Sequence, residues 1–174
     1  MRLPAVDLGL MAEHLPTHEG ILNKLKHYLA KVTNADLKDI ISLQISVMRA
    51  HVKVMLLLIN PYQNGYVAVP PLEAYSGNHY FKEEAWGQNP LKNKSITLEA
   101  RATAKCMAND NFISALMMKN PNVKHAHIEM ALQQAFLQER YSQFIQRMGW
   151  EFVPHVSVQD QINTYQHFQH ILNN

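Results

Sequence analysis

Little in this chain can cross-link it. Cys106 is its single cysteine, so no disulfide forms within the chain, and a reducing interior compartment is the expected setting. Glycine is scarce, at 6 residues, which disfavours a turn-rich all-β fold and favours helices. A strong charge imbalance is missing too: Lys and Arg number 16 against 14 Asp and Glu, leaving a net charge of +2. The basic residues are scattered rather than clustered, so no nucleic-acid partner is expected. No long hydrophobic run occurs; the longest, Val54 to Ile59, is far shorter than the ~20 residues that span a bilayer, so no membrane span is expected. No signal-type leader is expected either, because Asp7 arrives before any apolar core. Gly-rich phosphate loops, hydrolase elbows and Walker patterns are likewise missing, and no catalytic residues are assigned.

What is present is helical periodicity. A chain of 174 residues with 47% hydrophobic residues reads as a single domain, 1–174. From Leu8 to Val32 the seam runs Leu8, Met11, Leu15, His18, Leu22, Leu25, Leu29, Val32, in alternating gaps of three and four. Pro16 lies inside this helix and predicts a kink, since it removes the bond to the carbonyl of Ala12. A tight joint at Thr33-Asn34 offers a capping box, Thr33 to Asp36, with Asn34 as the alternative cap. The second helix, Ala35 to Ile59, has the seam Leu37, Ile41, Gln44, Met48, His51, Met55, Leu58 and stops at Asn60-Pro61.

Residues 60–94 keep no helical period and carry Tyr62, Tyr66, Tyr75, Tyr80, Phe81 and Trp86, which predicts an ordered strap packed on the bundle. A third helix is expected from Ile96, capped by Ser95 with Glu99 in its first turn, to Lys119. Asn120-Pro121 is a joint with a proline at N1, and the fourth helix runs to Met148 with Gly149 as its C′ residue. A short amphipathic helix is predicted within the tail, 155–174. Two hairpins joined by one long connection are the layout of a ferritin-like four-helix bundle, all-α, with its crossover between helices 2 and 3.

That layout raises the question of metal. A di-iron centre needs bridging glutamates and Glu-x-x-His pairs on the seams. Here Met48 precedes His51 at that spacing, Glu129 and Glu139 have no partner histidine, and Glu13 and Glu19 flank their seam. A di-metal centre is therefore not expected. The alternative is a single transition-metal ion held by His14, His18 and His51, the first two sharing a helix face. The simpler reading makes His18 and His51 core residues bonded to Gln44, to the freed carbonyl of Ala12 or to buried water. His125 and His127 are expected at the surface, as are His155, His167 and His170; Cys106 is expected to be a buried, inert thiol, and the methionines to fill the core.

The run Glu13-His14-Leu15-x-x-His18-Glu19 resembles the opening of the Coat F family of spore coat proteins. So do Asn120-Pro121-Asn122-Val123-Lys124 and Met148-Gly149-Trp150. The resemblance covers most of both hairpins and leaves the strap and tail uncovered. It implies a ferritin-like bundle made in the cytoplasm of a spore-forming Gram-positive bacterium. It also implies a structural place in the spore coat among other coat proteins, and supplies no catalytic residue. A homo-oligomer is expected from apolar surface at Tyr75, Trp86, Tyr165 and Phe168.

Overall fold

The computed structural model describes residues 2–75 and 90–173. These form α1 (Ala5–Leu29), α2 (Ala35–Ile59), α3 (Pro90–Met117), α4 (Pro121–Arg147) and α5 (Val158–Phe168), with 3₁₀ turns at Leu72–Tyr75 and Gln169–Asn173. No strand occurs among the described residues. The four long helices, at 1.5 Å per residue, are each about 40 Å long.

Contacts at the two ends fix their directions. At one end the Asp7 carboxylate accepts from the backbone N–H groups of Lys119 (2.8 Å) and Asn120 (2.7 Å), so the start of α1 meets the α3–α4 joint. At the other end Asn93 accepts from the Thr33 N–H (3.2 Å) and donates to the Thr33 hydroxyl (3.0 Å), joining the start of α3 to the α1–α2 turn. Arg147 reaches Asp36 at that same end (3.5 Å). Hence α2 and α3 run in the same direction, opposite to α1 and α4. Around the bundle α1 neighbours α2 and α3, and α4 neighbours the same two, so α2 and α3 lie across a diagonal. A connection between parallel, diagonal helices must travel the length of the bundle, which accounts for its many residues.

Local chemistry explains most of the helix ends. Asn34 accepts from the Leu37 N–H (3.0 Å), making it the cap of α2 in place of the Thr33–Asp36 box; Thr33 is engaged with Asn93 instead. Asn120 accepts from the N–H groups of Asn122 and Val123, and Pro121 sits at N1 of α4. Gly149 has φ +66°, and the N–H groups of Gly149 and Trp150 bond the carbonyls of Gln146 and Ile145. That 5→2 and 6→1 pair is a Schellman motif. Several boundaries differ from expectation, α1 and the start of α3 by the most residues. α1 spans Ala5–Leu29, starting and ending three residues early, and stays helical through Pro16. α3 begins at Pro90 rather than Ile96, so Ser95 lies inside it. Glu99 consequently sits in the third turn, where it pairs with Lys24 of α1 (3.2 Å).

The core divides into two apolar clusters. One joins Leu25, Leu37, Ile41, Met48, Ala100, Ala104, Leu137, Tyr141 and Phe144 near the α1–α2 turn. The other joins Met11, Val54, Met55, Leu58, Met118, Val123, Ala126 and Met130 near the α3–α4 joint. Buried alanines on α3 let its neighbours approach closely. α2 supplies residues to both clusters; its best 18-residue window has a mean hydropathy of 1.5, long and apolar enough by composition to cross a bilayer. That composition is what a helix buried at the centre of a bundle needs. Cys106 is exposed, not buried, because Ala104 and Met107 take the inward positions on that turn.

The described part of the strap touches the bundle at a few points, chiefly through Val67, Leu72 and Tyr75. Val67 is buried and its backbone is held at both ends by the Asn122 side chain, whose Oδ1 accepts from the Val67 N–H (2.8 Å) while Nδ2 donates to the Val67 carbonyl (2.7 Å). Gln133 donates to the Pro70 carbonyl (2.8 Å), and Leu72 and Tyr75 pack against the first cluster. Tyr62 and Tyr66 are exposed; Tyr80, Phe81 and Trp86 lie outside the described residues. Beyond α4, Trp150 stacks edge-on against Phe144 (5.8 Å) and Glu151 pairs with Arg101 (2.7 Å). Every residue from 152 to 172 is exposed.

Candidate functional site

Between the two apolar clusters the core turns polar. His18, His51, Asn111, Ser114, His127, Gln133 and Gln134 are all buried there. The seam spacing places them. His14 and His18 are one turn apart on α1, His51 follows Met48 on α2, and His127 lies between Val123 and Met130 on α4. Ring centres are 6.3 Å apart for His14–His18, 5.4 Å for His14–His127 and 6.0 Å for His18–His51.

Hydrogen bonds fix the tautomers of three of these rings. His18 Nδ1 faces the His14 carbonyl (2.9 Å), which only accepts, so Nδ1 carries the proton. His127 Nδ1 faces the Val123 carbonyl (2.9 Å) in the same way. His51 Nε2 faces Gln133 Oε1 (2.9 Å), and the orientation of that amide is set by its other end, which donates to Pro70. The three remaining nitrogens, His18 Nε2, His51 Nδ1 and His127 Nε2, are therefore bare lone pairs; all are buried and none has a partner among the described residues. Asn111 Oδ1 is a fourth buried acceptor without a donor, because its Nδ2 is committed to the Met107 carbonyl (2.7 Å). His14 Nε2 lies 2.9 Å from the Ser114 hydroxyl, and its Nδ1 is also unpartnered.

Burial keeps the rings neutral. Desolvation lowers His18 to about 4, His51 to about 3 and His127 to about 4, outweighing the hydrogen bonds that favour their protonated forms. His14 is also lowered by burial, with Asp110 and Glu13 acting in the opposite sense. At neutral pH the layer offers lone pairs, not charges.

A cleft of about 350 Å³ between α1 and α3 leads to this layer. Leu10, Ile113 and Met117 form its apolar side, and Glu13, Asp110 and Asn111 its polar side, with His14 and His18 at its floor.

His18 and His51, on their seams, stand 6.0 Å apart between ring centres, and His14, on the face it shares with His18, stands 6.3 Å from His18. His127 joins them, contrary to its expected surface position: on α4 it faces inward while His125 faces out toward Glu129 (3.8 Å) and Tyr66. The expected partners are also reassigned. His18 bonds the carbonyl of His14, not of Ala12, and Gln44 accepts from the Tyr141 hydroxyl (2.7 Å), not from a histidine. His155, His167 and His170 are exposed. Carboxylates stay out of the layer: Asp7, the buried one, is committed to two backbone N–H groups, Glu99 to Lys24 and Glu129 to His125. With no bridging carboxylate the residues do not fit a di-iron centre. Among the described residues, no three His, Cys, Asp or Glu side chains stand in ligating geometry about one point. No family model, curated protein or solved structure matches the chain.

Proposed function

We propose that this protein is a ferritin-like bundle acting as a structural and interaction component of a spore coat, without a catalytic step of its own. Its bundle would be the body and its C-terminal arm the attachment. The observation that carries the reading is α5. Ser157 caps it by accepting from the Asp160 N–H (3.1 Å), so it is a defined helix rather than a frayed end. Along it, Val158, Ile162, Tyr165 and Phe168 recur at gaps of three and four, and all are exposed, as is Leu172 in the 3₁₀ turn that follows. Exposed stripes of this kind bind by laying their apolar face into a partner's groove. The occupant of that face, on the resemblance of both hairpins to Coat F proteins, is another coat protein. Homo-oligomerisation belongs to the same reading, since a shell component meets copies of itself.

The test is deposition in a sporulating Gram-positive host of two fluorescent fusions, one of the full chain and one ending at Pro154. The full chain is expected to form a shell around the forespore and to appear in coat extracts. The shortened chain, folded by circular dichroism, is expected to remain in the mother-cell cytoplasm. A full-length fusion that stays diffuse overturns the coat assignment. Equal deposition of both fusions overturns the role of α5.

A further inference from the structure

We propose that the polar layer is a mononuclear transition-metal site, with His18 Nε2, His51 Nδ1 and His127 Nε2 as ligands and His14, on the cleft side, completing the set. This is independent of any place in a coat. The chemistry points to a borderline divalent ion such as Zn²⁺ or Cu²⁺. Neutral imidazoles suit these ions, whereas Mg²⁺ and Ca²⁺ require a full shell of oxygen ligands, carboxylates foremost, which the amide oxygens of Asn111 and Gln134 do not supply.

Three features carry the inference. The first is that the bare nitrogens belong to rings whose other nitrogen donates to a carbonyl oxygen: of His14, Gln133 and Val123 respectively. Metal-binding histidines are held in this way, the outer partner fixing the tautomer and raising ligand basicity. Second, these lone pairs come from α1, α2 and α4 and lie in one buried layer with Asn111 Oδ1 of α3; none of the four meets a donor among the described residues, the Ser114 hydroxyl being turned to His14 and the Gln134 amide to Met48. Each buried acceptor without a partner is costly, and a cation relieves several at once. Third, the α1–α3 cleft gives access, with Glu13 and Asp110 at its side and His14 on its floor. Those two carboxylates attract a cation, and Asp7 lies close enough to His127 to act on it electrostatically.

Distance sets how far the site must close. At a metal–nitrogen length of about 2.1 Å, two imidazole rings on one tetrahedral ion have centres about 5 Å apart. His18 and His51 stand at 6.0 Å, His14 and His18 at 6.3 Å and His14 and His127 at 5.4 Å, all somewhat wider, and no three donors among the described residues share a ligating point. Drawing the rings inward is a small shift of side chains between helices, and it separates this proposal from a layer filled by water. Buried water supplies protons to the lone pairs without contracting them.

The experiment uses the full chain, purified without a histidine tag and treated with chelator, then titrated with Co²⁺ and Zn²⁺. One equivalent of Co²⁺ is expected to give the intense visible bands of a four-coordinate ion with nitrogen ligands and no thiolate charge-transfer band. One equivalent of Zn²⁺ is expected to displace it and raise Tm. His51→Gln and His127→Gln are expected to abolish the cobalt spectrum. Gln133→Leu, which touches only the outer side of His51, is expected to weaken affinity about 10–100-fold. His125→Gln, on the exposed side of the same turn, is expected to change nothing. The proposal is overturned if the parent chain shows no saturable cobalt spectrum. It is equally overturned if binding survives His51→Gln and Gln133→Leu but is lost on removing His155, His167 and His170 of the exposed tail.

Discussion

Replacing Asp7 with alanine strikes the contact that closes the bundle at the α3–α4 joint. The carboxylate is fully buried and accepts two short bonds, from the N–H of Lys119 at 2.8 Å and of Asn120 at 2.7 Å. Bonds to a charged acceptor contribute about 1.5–3 kcal/mol each. A negative charge beside the first turn of α4 adds about 0.3–1 kcal/mol through the helix dipole. Against this, the two amides are only partly buried and recover some hydration once the side chain is gone. Asp7→Ala is therefore expected to cost about 3–4 kcal/mol, a large share of the 5–15 kcal/mol that holds a typical domain. Asp7→Asn keeps one acceptor, sets an amide N–H₂ against the other backbone donor and removes the charge, for a loss of about 2 kcal/mol. Urea unfolding followed by far-UV circular dichroism reads both. With a slope of about 2 kcal/mol per molar, the alanine midpoint falls by about 1.5–2 M and the asparagine midpoint by about 1 M. A midpoint within about 0.2 M of the parent for Asp7→Ala, a small fraction of the expected shift, would refute the idea that this carboxylate holds the joint. Equal losses for alanine and asparagine would show that the charge and the second oxygen carry the whole effect and the retained acceptor none of it.

Three further outcomes follow from the core. In chelator, stability is expected to be greatest above the ordinary histidine value of 6.5 and to fall as pH drops toward 4, because His18, His51 and His127 resist protonation in the fold but not in the unfolded chain; the slope is at most about 1.4 kcal/mol per pH unit for each ring, and a flat profile of urea midpoints between those limits refutes it. Tyr141→Phe leaves Gln44 Oε1 without its donor and is expected to cost about 1–3 kcal/mol, most of which the double change with Gln44→Leu should restore in a thermal melt. Gly149→Ala meets no atom within 4 Å but must hold φ +66°, so it is expected to lose about 1 kcal/mol by backbone strain alone, with Gly149→Asn losing less.

The parts of this fold legible in the sequence are those governed by local chemistry. α2 could be bounded to the residue because Asn34 caps it and Asn60-Pro61 stops it, and the α3–α4 joint because Asn120-Pro121 caps and starts at once. Its crossover followed from two short joints and one long connection. Features that depend on distant partners were not legible. The start of α3 carries Lys92, Asn93, Lys94 and Ser95, without apolar period, because its inward contacts are made by Asn93 and Thr97. His127 escaped notice for a related reason. The seam of α4 is Val123, His127, Met130, Gln134, Leu137, Tyr141, Phe144, but two polar members hide it. Following apolar residues alone selects Leu132 and Phe136, which are 59% and 42% exposed. Gaps of three and four that include the polar residues would have found the fourth histidine, as they found His18 and His51. Asp7 gives no local sign that it serves residues 112 and 113 positions away.

Asn122 does for Val67 what a neighbouring strand would do, presenting one acceptor and one donor to a single peptide in a region without a partner strand. The first turn of α4 and the middle of the connection consequently open together. In amide hydrogen exchange the Val67 N–H should behave as part of a helix although it lies in a loop, with a protection factor that tracks α4 rather than the exposed Tyr62 and Tyr66 on either side of the turn before it. The described part of the connection thus joins the cooperative unit of the bundle through side chains of α4, Asn122 at Val67 and Gln133 at Pro70, and its dynamics are inherited from the helix that holds it.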